Sequence, residues 1–122
     1  MAYSLVRRIT MAKKRVLYYD PDLEWHAEIE KLFASYSDIE IIFTKGIIEA
    51  SKAFSPEISA VFGAFHPLFD SWPAYAWAQG VRKRGFRVML FSGSSHGNFD
   101  ENVSKFDFPL EVEEMLSFFR LD

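Results

Sequence analysis

The chain has 122 residues, which is enough for one compact domain and too few for two. Apolar residues make up 49% and charged residues 25%, a balance that is typical of globular proteins in water. The absence of cysteine excludes disulfides and thiolate metal sites, and no apolar run is long enough for a membrane span. We therefore expect a cytoplasmic protein that does not insert into membranes.

Charge is distributed unevenly along the chain, although the net charge is only −3. A basic amino-terminal arm can bind nucleic acid or anionic lipid, but a leader ahead of the first strand explains the same composition, and we prefer that interpretation. We expect residues 1–12 to form a flexible basic leader and residues 13–122 to form one domain. The basic residues at this end, with no acid among them, are Arg7, Arg8, Lys13, Lys14 and Arg15.

Short apolar runs bounded by turn residues predict buried strands. The first covers residues 15–19 and stops at Asp20-Pro21-Asp22. Pro21 cannot continue a hydrogen-bonded ladder, and Asp22 can cap the helix that follows. Further strands are predicted over residues 39–44, 58–65 and 87–92, with a brief fifth strand around Phe106 and Phe108.

Helical spacing of apolar residues predicts a helix after most of these strands. Pro73 near the start and Gly85 beyond the end bracket the third helix. The predicted helices cover residues 23–36, 47–54, about 72–84, and 111–121.

Strands that alternate with helices indicate a parallel sheet with helices on both faces. Strands that are apolar throughout agree, because half-exposed antiparallel strands would alternate in polarity. We predict an α/β, flavodoxin-like three-layer sandwich whose five parallel strands lie in the order 2-1-3-4-5.

The segment GSSHG, residues 93–97, has the G-x-S-x-G spacing of a hydrolase nucleophile elbow. An elbow needs a helix directly after the serine and a histidine from a later element. The residues after Gly97 are a poor helix start, and His96 is the only histidine beyond Ser95. An enzyme that uses Ser95, His96, His66 and Asp20 at the strand ends stays an alternative, but we predict no catalytic residue.

Loop residues that follow parallel strands converge in any fold of this type. His66, His96 and Asp20 are therefore weak evidence for a metal site. The chain also lacks the glycine-rich phosphate-binding motif of nucleotide-binding proteins. We predict neither a metal nor a cofactor.

Four segments together resemble the response-regulator receiver (CheY-like) domain, over nearly the whole span from Lys13 to Asp122. They are RVLYYDPDLEW, SPEISAVFGAFHP, RVMLFSGSS and FDFPLEVEEMLSFF. The resemblance implies a fold in which an aspartate ending the third strand accepts a phosphoryl group. It also implies acids after the first strand that hold magnesium, a hydroxyl residue ending the fourth strand, and a lysine before the proline.

We match the positions of the receiver family to this sequence residue by residue. The phosphoacceptor position then falls on Phe62 when it is counted from Pro56 and on Gly63 when it is counted from Pro67. Neither residue can accept a phosphoryl group. The resemblance is therefore to a degenerate member of the family, which implies a non-phosphorylatable pseudo-receiver. Such a protein would act as a protein-interaction or regulatory module in bacterial-type two-component signalling.

The other matched positions are partly altered as well. Asp20 matches one metal-binding acid, and Asp22 lies close to the second acidic position, where Pro21 stands. Ser92 matches the hydroxyl residue, whereas Phe108 replaces the lysine. We expect a pocket filled by rings instead of charges.

The segment between Ser92 and Phe108 is too short for a full helix with its turns, so the fourth helix is predicted to be shortened or missing, with at most one turn over residues 99–103. For partners we expect proteins, a second copy of the chain among them, and not nucleic acid. Another interpretation is a small-ligand sensor that uses the aromatic third helix and the rim. The residues of the candidate partner surface are Trp72, Tyr75, Trp77 and Phe99.

Overall fold

The computed structural model describes residues 14–65, 72–92, 101–104 and 116. Within these ranges, five strands and three longer helices follow one another along the chain. The strands are β1 (Lys14–Tyr19), β2 (Ile39–Thr44), β3 (Ile58–Gly63), β4 (Val88–Ser92) and β5 (Glu101–Ser104). The helices are α1 (Leu23–Phe33), α2 (Ile47–Ala53) and α3 (Trp72–Lys83).

All four strand pairs are parallel, and the strands lie in the order β2-β1-β3-β4-β5. This confirms the predicted α/β class and the predicted strand order. Because the strands are parallel, their carboxyl ends meet at one edge of the sheet. Tyr19 is paired there with Gly63, and Gly63 is paired with Leu90.

The sheet separates two apolar cores, because neighbouring residues of each strand point to opposite faces. On β1, Val16 and Tyr18 lie in the core under α1, whereas Leu17 and Tyr19 lie in the core under α2 and α3. The α1 core contains Val16, Tyr18, Ile29, Phe33, Ile39, Ala60, Phe62, Met89, Phe91 and Leu116. The other core contains Leu17, Tyr19, Ala50, Ile58, Val61, Phe65, Ala74, Ala78, Val81, Val88 and Leu90.

The helix ends follow the predicted capping chemistry. Asp22 caps α1 by accepting a 3.0 Å hydrogen bond from the Glu24 amide. Gly85 follows α3 with a φ of 96°, and its amide donates to the Arg82 carbonyl at 3.0 Å. A glycine is suited to this left-handed backbone because it has no Cβ to clash.

Two predicted boundaries are corrected. Helix α1 ends at Phe33 and not at residue 36, because the Ala34 amide bonds to the Lys31 carbonyl in a tighter turn. Strand β3 ends at Gly63 and not at residue 65, because the Phe65 amide turns back to the Gly63 carbonyl at 2.9 Å.

The fifth strand lies earlier in the chain than we predicted. Residues 101–104 pair with β4 from Met89↔Glu101 to Ser92↔Ser104, so the helical turn predicted over residues 99–103 is wrong for residues 101–103. The predicted strand around residues 106–108 and the leader, residues 1–12, lie outside the described residues. Of the predicted last helix, Leu116 is described, and it is helical and buried as expected. No helix in the described ranges combines the length and apolar character needed to cross a bilayer.

Candidate functional site

Asp20 lies directly after β1, at the carboxyl edge of the sheet, and is only 1% exposed. Its Oδ2 accepts a 2.7 Å hydrogen bond from the Tyr18 hydroxyl. Its Oδ1 accepts a 2.9 Å hydrogen bond from the Asp22 amide. One carboxylate oxygen is thus held by a donor from β1 itself and the other by a donor from the turn between β1 and α1. Such bonds are what makes burial of a carboxylate tolerable.

His26 closes this segment from the helix side. Its Nε2 lies 2.6 Å from the Asp20 carbonyl oxygen, so this nitrogen must carry the donated proton. The imidazole ring also packs against the rings of Tyr18, at 5.2 Å, and Phe43, at 5.5 Å. His26 therefore fixes the turn after β1, a role that its position inside a helical pattern did not predict.

The two tyrosines that end β1 are held in their neutral form. Burial, and secondarily the negative charge of Asp20, raise the pKa of Tyr18 far above its usual range. The same two causes raise the pKa of Tyr19. The Tyr18 phenol consequently acts as a hydrogen-bond donor to Asp20 and not as an acceptor.

Phe62, one of the two candidate acceptor positions, is completely buried under α1. Its ring centroid lies 4.7 Å from that of Tyr18, 5.8 Å from that of Phe91 and 6.5 Å from that of Phe33. These separations are typical of packed aromatic clusters. The side chain at this position therefore belongs to the apolar core.

Gly63, the other candidate acceptor position, lies against the backbone of β1. A Cβ added there would overlap the Tyr19 carbonyl oxygen and lie 3.0 Å from the Tyr19 carbonyl carbon. That carbonyl is itself fixed, because it accepts a 3.0 Å hydrogen bond from the Ala64 amide. No side chain, aspartate included, fits at residue 63 without movement of the strand ends.

Other predicted pocket residues are placed only in part. Ser92 ends β4 and is paired with Ser104 of β5, at the same edge of the sheet as Asp20. Asp22 is exposed and serves as the helix cap. Phe108 and Phe99, and likewise His66, Ser95 and His96 of the alternative enzyme site, lie outside the described residues.

The aromatic residues of α3 divide between two faces of the helix. Trp72 is 56% exposed, and its ring lies 5.3 Å from that of Tyr75. Trp77 instead contacts Phe54, at 6.0 Å, and Phe65, at 5.9 Å, in the core under α3. The structure thus brings Trp72 and Tyr75 together, and it packs both Tyr75 and Trp77, partly buried, against the core under α3. The small-ligand sensor stays an alternative prediction.

The fold is similar to a crystal structure of the signal receiver domain of an HD domain-containing protein from Pseudomonas fluorescens Pf-5. The TM-score is 0.65, with 88% of this chain and 90% of that chain covered. The chain has the receiver fold. Sequence identity is 16%, so the likeness establishes the fold and not the chemistry. No family model matches the sequence, and no curated protein matches it at a significant level.

Receiver folds that are phosphorylated use magnesium, and the residues described here do not fit that ion. Magnesium prefers several oxygen ligands in an octahedral arrangement. Asp20 directs its two oxygens to the Tyr18 hydroxyl and the Asp22 amide, and residues 62 and 63 supply no carboxylate. Within the described ranges, no three histidine, aspartate or glutamate side chains are grouped as a metal site would need.

Proposed function

We propose that this chain is a receiver-fold module that is not phosphorylated and that acts through contacts with other proteins in two-component-type signalling. One observation carries the proposal. Both positions at which the phosphoacceptor could fall, Phe62 and Gly63, lack a carboxylate and are closed to one by packing.

Phosphoryl transfer to a protein needs a nucleophile that is free to attack and a charge that neutralises the developing negative oxygens. The Phe62 ring packs against three other aromatic rings, so that position offers neither group. An aspartate at residue 63 would collide with the Tyr19 carbonyl group before it reached solvent. A single substitution is therefore insufficient to rebuild the reaction.

A pocket of this kind also favours one conformation. A conformational switch needs two conformations whose free energies differ by only a few kcal/mol. It also needs a ligand or a covalent modification that stabilises one conformation more than the other. Here the connection between β1 and α1 is fixed by the bonds from Tyr18, Asp22 and His26 to Asp20. The proposed module binds its partners in a constant conformation.

The test is to incubate the protein with magnesium and a small-molecule phosphodonor, and separately with magnesium and beryllium fluoride. A receiver domain that retains its acceptor aspartate serves as the positive control. We expect an unchanged intact mass and an unchanged melting temperature for this protein, with a phospho-adduct and stabilisation for the control. A stoichiometric adduct, or a magnesium-dependent rise in melting temperature, would overturn the proposal.

A further inference from the structure

One face of α3 is exposed along its whole length. Trp72, Ala76, Gly80 and Lys83 follow one another at helical spacing, and each is exposed to solvent. Trp72 is one of the three large apolar side chains that are exposed in the described ranges. At about 1.5 Å per residue, this face is roughly 16 Å long. We call it the α3 stripe.

The α3 stripe borders an open groove of about 480 Å³. The two ends of the groove differ in chemistry, with aromatic rings at one end and positive charge at the other. Trp72 and Tyr75 form a ring pair at the amino-terminal end, Ala76 and Gly80 are small, and Arg82 and Lys83 bring positive charge to the carboxyl-terminal end. A Cβ added at Gly80 would meet nothing within 4 Å, so a neighbouring ring can approach the backbone there.

Lys83 places an exposed positive charge at the carboxyl-terminal end of the α3 stripe, and the sequence of α3, WPAYAWAQGVRK, contains no acidic residue. Aromatic faces attract such cations. The chain already uses this contact close by, since the Arg84 guanidinium carbon lies 5.3 Å from the centre of the Phe54 ring and 5.9 Å from that of Phe86. The two ends of the α3 stripe are therefore complementary to each other.

We propose that a second copy of this chain docks on the α3 stripe, with the two helices antiparallel and a two-fold axis beside Ala76. Residues 72 and 80 are equally far from residue 76, so the axis places Trp72 of one copy over Gly80 of the other. The rings then fit beside the small residues, and each cationic end approaches the other copy's ring pair. An interface of this kind is self-complementary, as a two-fold dimer requires.

Repulsion between like charges does not oppose this arrangement. In the antiparallel pair, the two Lys83 residues lie at opposite ends, about 20 Å apart along the helix axis. That separation exceeds the screening length of roughly 8–10 Å at physiological salt. A parallel pair would bring the cations together, which is why we infer the antiparallel one.

The proposed dimer interface is small, and we therefore expect the two copies to bind each other weakly. A stable interface commonly buries about 800 Å² on each partner, and a helix of 12 residues supplies less. We therefore expect a dimer that dissociates in the micromolar range. This inference rests on the proposed function, because it names the partner of the module as a second copy.

Sedimentation velocity of the full chain, from about 1 µM to about 1 mM, tests the dimer across the range that a weak interface requires. Ala76→Glu and Ala76→Lys each place like charges face to face at the axis and should weaken dimerisation at least tenfold. An equimolar mixture of the two variants should restore it, since opposite charges then meet. The matched control is Ile48→Glu, on the 70% exposed Ile48 of α2, which should leave the dimer unchanged.

Restoration by the mixture supports the proposal, because a fold defect in either variant would not be repaired by mixing. The proposal is overturned if the protein stays monomeric at every concentration, if Ala76→Glu leaves a dimer intact, or if Ile48→Glu weakens it equally. Failure here is separable from failure of the proposed function. A monomer that takes no phosphoryl group contradicts the dimer alone, whereas a dimer that is phosphorylated contradicts the unphosphorylated module alone.

Discussion

The Tyr18 hydroxyl donates a 2.7 Å hydrogen bond to Oδ2 of Asp20, and both residues are buried where β1 ends. Tyr18 thus supplies a donor to an acid that, by the receiver resemblance, would face a metal ion. The same tyrosine packs its ring on Phe62, at the candidate acceptor position. One side chain therefore contacts both the buried acid after β1 and the ring at a candidate acceptor position.

Tyr18→Phe should lower the free energy of unfolding by about 1.5–3 kcal/mol, because it removes one donor from a buried carboxylate and keeps the ring. Urea denaturation at neutral pH measures the change. Asp20→Asn and the double variant complete a double-mutant cycle. We expect a coupling of about 1 kcal/mol or more between the two residues, and strictly additive losses would contradict the proposed bond.

Stability should fall as the pH rises above the ordinary tyrosine pKa of 10.0. The folded-state pKa of Tyr18 is raised, so above that pH the unfolded chain releases a proton that the folded chain retains. The stabilisation that the raised pKa provides is fully present below about pH 10. Above that pH, the free energy of unfolding falls by roughly 1.4 kcal/mol per pH unit for one such group. Tyr19 adds to the loss, because its pKa is raised too.

Urea denaturation between about pH 8 and pH 11 gives this slope for the wild type and for Tyr18→Phe. The variant should lose less stability per pH unit, since one retained proton is gone. Equal slopes would mean that the Tyr18 phenol ionises as readily in the folded chain as in the unfolded one.

Most of the fold could be predicted because its signals are local. The apolar run of β1 stops at Asp20-Pro21-Asp22, and this stretch both ends the strand and caps α1. Strand β5 could not be found in this way, because its sequence ENVS is short and polar. Its pairing with β4, from Met89 to Ser92, defines it, and strand propensity depends on such context.

The candidate site could be predicted in composition but not in geometry. The sequence names Phe62 and Gly63 as the candidate acceptor positions, whereas the contact of residue 63 with Tyr19 depends on strand register. The bond from His26 to the Asp20 carbonyl depends on the angle at which α1 leaves β1. Neither relationship leaves a spacing pattern in the sequence.

Phe62→Ala should destabilise the protein by about 3–5 kcal/mol, because a fully buried ring leaves a cavity among Tyr18, Phe33 and Phe91. Trp72→Ala is the matched control, as it truncates a larger ring that is 56% exposed. Urea denaturation at low protein concentration should show that Trp72→Ala lowers the free energy of unfolding by at most about 0.5 kcal/mol. Similar losses for the two variants would contradict the assignment of Phe62 to the core.

Gly63→Ala should cost about 3 kcal/mol of stability, although it adds a single methyl group, because that group overlaps the Tyr19 carbonyl. Gly46→Ala is the control, since a Cβ there meets nothing within 4 Å. Gly46 is the N-cap of α2, where glycine is preferred to alanine, so the control should cost about 0.5–1 kcal/mol. Gly63→Asp should destabilise at least as much as Gly63→Ala, and it should gain no phospho-adduct with magnesium and a phosphodonor. A stable Gly63→Asp protein that becomes phosphorylated would mean that the strand ends move apart readily, and that the pocket had lost only its nucleophile.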